Sequence, residues 1–296
     1  MNERQAHIYK TAEGCEIGVD VHLPDGARRR RPGIVWIHGG ALITGSRHGL
    51  ARWQLDRYLE AGFLVIAIDY RLAPETRLPG IVGDLQDAFR WARERGPELF
   101  GLEPSRLAAV GHSAGGYLTL MAGCSVEPPP QALVAFYGYG DIVGSWYTRP
   151  DPFYCRMPAV TAKEAWAAVG HSAISESYGD QGERRGRFYL YCRQRGLWPQ
   201  EVSGHDPDAE AEWFKPYCPA ANVSPRHPPT LLLHGDCDTD VPYEQSEMMA
   251  GALERAGVEH ELITIAGGVH GFDGSEEPPA LAAVDRVLRF LQRHAG

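Results

Sequence analysis

The sequence predicts an α/β fold: a mostly parallel central sheet with helices on both faces and an inserted cap. Three observations predict it. Ile34 to Ile37, Phe63 to Ile68, Leu107 to Val110, Leu133 to Phe136, Thr230 to Leu233 and Glu261 to Ile265 are short, continuous, largely β-branched runs, the pattern of strands covered on both faces. Between them lie helical stripes: Leu85, Ala88, Phe89 and Ala92, then Leu281, Val284, Leu288 and Leu291, each recurring at helical spacing. Finally, Gly138 to His227 holds no buried-strand run and is too long for a simple connection.

The chain has 296 residues, 44% of them hydrophobic, which suits one large α/β domain with an insertion. The amino terminus is polar with no cleavage site, so nothing there directs secretion. Glu16 to Leu23 alternates, with Ile17, Val19, Val21 and Leu23 on one face, and predicts a half-buried strand near a sheet edge. The basic run Arg28 to Arg31 sits between turn residues and reads as a solvated loop. The net charge of −9 argues against a nucleic-acid or anionic-membrane partner, since both need a concentrated positive surface. Its longest aliphatic run, Phe63 to Ile68, is far too short to span a bilayer.

The expected division is a core of residues 1–137 and 228–296 and a cap of residues 138–227. Of the 29 aromatic residues, 15 lie between Tyr137 and Tyr217, enough for the insertion to pack a small core of its own and roof the carboxyl edge of the sheet. Tyr137 to Trp146 and Trp213 to Tyr217, at the two ends of the insertion, are the expected pocket walls. Arg184, Arg185, Arg187, Arg193 and Arg195 read as a solvated face. Six cysteines lie far apart with no C-x-x-C pair, which suggests reduced thiols in a cytoplasmic protein and neither a disulfide framework nor a zinc site. The spaced acids Asp236, Asp238 and Asp240 imitate a calcium loop, but Val241 occupies the position where that loop needs glycine, so no metal is expected. No cofactor motif is present.

Chemistry concentrates at Gly111-His-Ser-Ala-Gly115, between a strand run and the small-residue helix predicted over Ala114 to Gly123. A serine at such a sharp turn is held out at the sheet's carboxyl edge, and glycines two positions on either side avoid clashes. A serine hydroxyl needs a base, and the base needs an orienting acid. His270 lies between glycines after the last strand run, while Asp236, Asp238 and Asp240 share the loop after the preceding one. Period-two spacing does not choose among these acids. His38-Gly-Gly-Ala41 follows a strand run and can aim backbone N–H groups at a developing oxyanion beside that of Ala114. His38 itself reads as a residue holding that turn by hydrogen bonding. His7, His22, His48, His171, His205 and His227 read as surface or ordinary polar residues.

Val35-Trp-Ile-His-Gly-Gly-Ala41, Asp69-Tyr-Arg-Leu-Ala-Pro-Glu75, Gly111-His-Ser-Ala-Gly-Gly116, His234-Gly-Asp-Cys-Asp-Thr-Asp-Val-Pro242 and Gly268-Val-His-Gly-Phe272 together resemble the α/β-hydrolase superfamily, close to hormone-sensitive-lipase-like carboxylesterases. The resemblance spans roughly residues 15 to 295 and is poor through the cap. It implies Ser113 as nucleophile, His270 as general base and Asp238 as orienting acid, with Gly40, Ala41 and Ala114 as oxyanion donors. It also implies that Asp69, Tyr70, Arg71 and Glu75 shape the loop beside the His-Gly-Gly turn. Ala41 replaces the family's third glycine, and amino-terminal cap helices are not evident. The expected activity is that of a serine carboxylesterase acting on small or medium acyl esters, with a small-molecule ester as partner and no cofactor. His112 before the nucleophile also resembles arylformamidase-like relatives, which keeps an amide substrate open. A non-catalytic, small-molecule-binding protein of the same fold is the alternative of a different class.

Overall fold

A computed structural model describes residues 3–26 and 30–296. Arg28 and Arg29 of the basic run lie outside the described residues. In chain order the elements are β1 (Glu3–Ala12), β2 (Cys15–Leu23), β3 (Arg31–Ile37), α1 (Arg52–Glu60), β4 (Leu64–Ile68), α2 (Leu78–Phe100), β5 (Leu102–His112), α3 (Ala114–Ser125), β6 (Leu133–Phe136), α4 (Ser145–Thr148), α5 (Ala162–Trp166), α6 (Gly179–Arg195), α7 (Trp198–Ser203), α8 (Ala211–Phe214), β7 (Thr230–Gly235), α9 (Glu244–Arg255), β8 (His260–Ile265) and α10 (Pro278–His294).

The eight strands form one sheet in the order β1-β2-β4-β3-β5-β6-β7-β8. β1 and β2 are antiparallel to their neighbours and every later pair is parallel. All six runs are strands of this sheet, and five are buried as expected; β8 is the edge strand, where only Ile265 is buried. The half-buried strand expected over Glu16 to Leu23 is present, one place in from the edge, and β1 covers it. β1 was not legible as a strand because it is largely polar and no residue in it is buried: Glu3 and Arg4 are exposed, Arg4 and Lys10 are ion-paired, and the rest are exposed or half-buried.

Burial on both faces follows the pleat. Val35 and Ile37 join a cluster with α2 and α3, whereas Ile34 and Trp36 join Leu55, Tyr58, Val284 and Leu291 of α1 and α10 on the other side. The chain runs from β3 by α1 to β4 on one side, and by α2 back across to β5 on the other side of β3. That reversal opens a crevice at the carboxyl ends of β3 and β5, where open α/β sheets bind ligands.

Residues 138–227 carry α4 to α8. Their apolar side chains do not form a separate cluster: Tyr139, Tyr147, Phe188, Trp198 and Phe214 are buried in the same cluster as β3, α2 and α3. Trp198 reaches the His-Gly-Gly turn and donates its indole N–H to the Ala41 carbonyl at 2.9 Å. The arginine cluster of α6 departs from the solvated reading. Arg184, Arg187 and Arg195 are exposed, but Arg185 and Arg193 are buried and ion-paired, to Glu75 and to Asp151 and Asp240. His227 is likewise buried, where desolvation pushes its pKa down to about 4. Among the described residues no helix is long and apolar enough to cross a membrane.

Candidate active site

Ser113 sits at the junction of β5 and α3 with φ 55° and ψ −119°, a backbone conformation that side chains other than glycine's rarely adopt. The flanking glycines permit the turn: a β-carbon on Gly111 would collide with the Gly115 carbonyl, and one on Gly115 with the Ile37 carbonyl of β3. Such a turn packs the start of α3 directly onto the neighbouring strand end.

The late loops bring their histidine and acid to the serine. His270 Nε2 lies 3.1 Å from Ser113 Oγ, and His270 Nδ1 lies 2.7 Å from Asp238 Oδ2. Asp238 is fully buried at its side chain, and its second oxygen accepts the N–H groups of Asp240 at 2.8 Å and Val241 at 2.9 Å. Burial disfavours its charge, but hydrogen bonding with His234 and His270 outweighs burial and holds the carboxyl well below the usual carboxylate range. His234 is itself fixed by Ser246 Oγ at 2.7 Å and the Val241 carbonyl at 3.0 Å. For His270, burial opposes protonation, yet the bond to Asp238 and the charges of Asp240, Asp238 and Asp273 raise its pKa above the ordinary imidazole value. Of the three acids left open by spacing, Asp236 points elsewhere and accepts the Gly267 N–H at 2.6 Å. Asp240 lies on the far side of the imidazole, its Oδ2 3.5 Å from His270 Nε2.

The turn after β3 packs against this elbow. A β-carbon on Gly39 would stand 2.9 Å from the His112 carbonyl oxygen and 3.2 Å from Ser113 Cβ. Each peptide of the turn is oriented through its carbonyl. Gly40's carbonyl accepts the N–H groups of Ile43 and Thr44, both at 2.9 Å, so the planar trans peptide turns the Ala41 N–H the opposite way. Gly39's carbonyl lies 2.7 Å from His38 Nδ1, which places the proton there and turns the Gly40 N–H away in the same manner. Among the described residues neither N–H takes a backbone carbonyl. Ala114 opens α3, where the first N–H groups lack helical partners. His38 stacks on Tyr70 with ring centroids 4.2 Å apart, and burial pushes its pKa down to about 4, so it is a neutral prop.

The motif read as structural behaves so. Asp69 receives Arg47, Arg71 forks onto Asp84 at 2.8 Å, and Glu75 pairs with Arg185. A second polar group went unforeseen by sequence reasoning. His112 Nε2 lies 2.8 Å from Asp273 Oδ2, and Asp273 also accepts Tyr137 OH at 2.6 Å and Gln54 Nε2 at 2.7 Å. Nothing in the local sequence links residues 54, 112, 137 and 273. Together with Gly39, Gly40, Ser177, Tyr178 and Glu183 these residues line an open cavity of about 610 Å³, which Ser113 and His270 themselves do not line. Tyr139, Trp146, Trp213 and Phe214 do not line it. Trp213 instead stacks on His205 with centroids 4.0 Å apart, and Tyr139 and Phe214 are wholly buried. Among the described residues no His, Cys, Asp and Glu group has the arrangement to hold a metal ion.

Comparison with known proteins accords with this fold. The chain is 29% identical over 97% of its length to a segment of non-reducing polyketide synthase ausA of Aspergillus calidoustus, and 28% identical over 97% to one of non-reducing polyketide synthase Preu6 of Preussia isomera. It spans only 14% of the length of either. Solved structures of similar fold include a Staphylococcus aureus protein of unknown function (TM-score 0.80, 22% identity, 99% of this chain and 100% of that one). An α/β-hydrolase superfamily protein from Enterococcus faecalis follows (TM-score 0.75, 22% identity, 99% of each chain). Propionate-bound Thermogutta terrifontis esterase 2 is also similar (TM-score 0.67, 21% identity, 98% of this chain and 92% of that one). The profile of the family described as the α/β-hydrolase fold matches residues 34–274, and on that match the chain belongs to the α/β-hydrolase family.

Proposed function

We propose that the chain is a serine carboxylesterase that hydrolyses small or medium acyl esters through a covalent acyl-enzyme. The observation that carries this reading is the placement of His270 between Ser113 Oγ at 3.1 Å and Asp238 Oδ2 at 2.7 Å. Ser113 attacks the acyl carbon while His270 Nε2 takes its proton. Asp238, kept ionised, holds the other ring N–H and stabilises the imidazolium as it forms. The N–H groups of Gly40, Ala41 and Ala114 receive the oxyanion, each such donor being worth about 2.7–4 kcal/mol of transition-state stabilisation. His270 then protonates the leaving alcohol, and water repeats the sequence on the acyl-enzyme.

Residues 138–227 act as the cap in this reading, and Ser177, Tyr178 and Glu183 share the lining of the cavity with Gly39 and Gly40. A cavity of about 610 Å³ falls within the size range of small-ligand sites. The test is hydrolysis of p-nitrophenyl esters of graded acyl length, with active-site titration by a serine-directed phosphonate. Turnover together with labelling of the peptide containing Ser113 is expected. Absence of hydrolysis across the ester series would overturn the reading.

A further inference from the structure

Asp240 stands beside the proposed base, on the side from which a leaving group must approach. Its Oδ2 is 3.5 Å from His270 Nε2, the same nitrogen that faces Ser113 Oγ. The other oxygen is saturated: Oδ1 accepts Tyr154 OH at 2.8 Å, Arg193 Nη1 at 2.7 Å, and Tyr189 OH. Arg193 is buried, is shared with Asp151, and also donates to the Asp240 carbonyl at 3.0 Å. Two tyrosines and an arginine from residues 138–227 thus fix the rotation of the carboxylate and leave Oδ2 toward the His270–Ser113 line. Among the described residues no hydrogen bond falls on Oδ2, and the side chain is 19% exposed, so the oxygen keeps free acceptor capacity.

A leaving atom takes its proton from His270 Nε2 and must therefore come within hydrogen-bond distance of that nitrogen, which brings it next to Asp240 Oδ2. An ester oxygen offers the carboxylate only lone pairs. An amide nitrogen offers an N–H, and when its lone pair turns toward His270 that N–H must turn away and find an acceptor. We propose that Asp240 Oδ2 accepts the scissile N–H, and that this site hydrolyses secondary amides of acyl chains as well as their esters. The proposal rests on the Ser113–His270 reading given above. In the step, Ser113 Oγ bonds to the acyl carbon as its proton passes to His270. The C–N bond then breaks, its electron pair staying on nitrogen, and His270 returns the proton to that nitrogen. The amine leaves with its original hydrogen, still bonded to Asp240, plus the one from His270. Asp240 ends unprotonated, and water releases the acid.

The experiment compares three substrates of one acyl chain, a p-nitrophenyl ester, the secondary p-nitroanilide and its N-methyl derivative, in the wild type and Asp240→Asn. In Asp240→Asn the carboxamide oxygen stays with the tyrosine and arginine donors, so its NH₂ group meets the amide N–H donor to donor. Both substrates are compared on their pH plateaus, so that a shifted His270 titration does not change the fraction of enzyme in its active form, and the N-methyl comparison in the wild type leaves His270 untouched. The anilide-to-ester ratio of kcat/KM is expected to fall about 10- to 100-fold in Asp240→Asn, the range of a hydrogen bond to a charged group. In the wild type the N-methyl anilide is expected to be slower than the secondary anilide by a similar factor. This second comparison needs no variant and stands even if Asp240→Asn folds poorly. An unchanged ratio, an N-methyl anilide cleaved as fast as the secondary one, or ester turnover without anilide turnover would overturn the proposal and leave the esterase reading intact. No turnover of any of the three would sink both.

Discussion

Glu75 and Arg185 form a bidentate pair, each carboxylate oxygen taking a guanidinium N–H at 2.7 Å, with side chains 1% and 2% exposed. Arg185 also donates to the carbonyls of Ile43 and Ala73 at 2.6 Å, so one buried cation ties α6 to the loop that carries the oxyanion turn and to the loop after β4. Removing one partner of a buried pair typically costs about 3–5 kcal/mol. Glu75→Ala is therefore expected to lose that much unfolding free energy in urea titrations, and a loss below about 1 kcal/mol would show the pair to be dispensable.

The same pair sets an acid limit. Burial disfavours the Glu75 charge, but the hydrogen bonds and charge of Arg185 prevail and depress its pKa. A depressed carboxyl contributes stability that is present above its unfolded value, about 4.3, and is lost as pH falls through the folded one. Wild-type stability should thus drop more steeply below about pH 4 than that of Glu75→Gln. Parallel acid profiles of the two proteins would contradict this.

Ser113→Ala is expected to lower kcat by about 10⁴-fold or more while leaving the melting temperature within a few degrees of wild type. Retained activity, with phosphonate on another residue, would remove Ser113 from its role.

Asp238→Asn is expected to reduce ester turnover by about 10⁴-fold, because the amide no longer holds the His270 tautomer. Asp236→Asn should do far less, since its partner is the Gly267 N–H at the exposed end of the loop. A crippled Asp236→Asn with a healthy Asp238→Asn would reverse the assignment.

For ester kcat/KM, activity should rise with pH as His270 loses its proton, with a midpoint above the ordinary imidazole value of about 6.5. The groups facing the imidazole are Asp238, Asp240 and Asp273, with the Tyr137 ring at 4.6 Å. Asp240→Asn removes one negative charge, so the imidazolium is less favoured and the acid limb moves to lower pH. A limb that stays in place or moves upward would contradict the sign.

The core strands were legible because each is a continuous apolar run, and the nucleophile and base because glycine turns frame them. Asp238 was not separable from Asp236 and Asp240 by spacing, since alternate loop positions look alike until the chain closes around one of them. The arginines of α6 were misread for a related reason. Along the helix, Arg185 and Arg193 look like Arg184 and Arg187, and what buries them is acid 110 and 47 residues away, Glu75 and Asp240. The pocket wall was placed only in part: of the expected aromatics Tyr137 lines the cavity, whereas aromatic density elsewhere marked the buried group around Tyr139 and Trp198, and the start of α6 with Ser177 and Tyr178 before it lines the cavity instead. Tyr178→Ala should therefore shift the ester-length profile, and Trp213→Ala should not.

The left-handed backbone at Ser113 has a cost that the fold carries at all times, whether or not substrate is present. Such a conformation costs a non-glycine residue on the order of 1–3 kcal/mol, and a glycine there would give back about 0.5–1 kcal/mol of that through its freer unfolded chain. Ser113→Gly should accordingly be an inactive protein that outlasts the wild type on heating by about 1 kcal/mol. Any sequence drifting free of selection for hydrolysis would gain stability at this one position, so a serine kept here is maintained against the folding free energy.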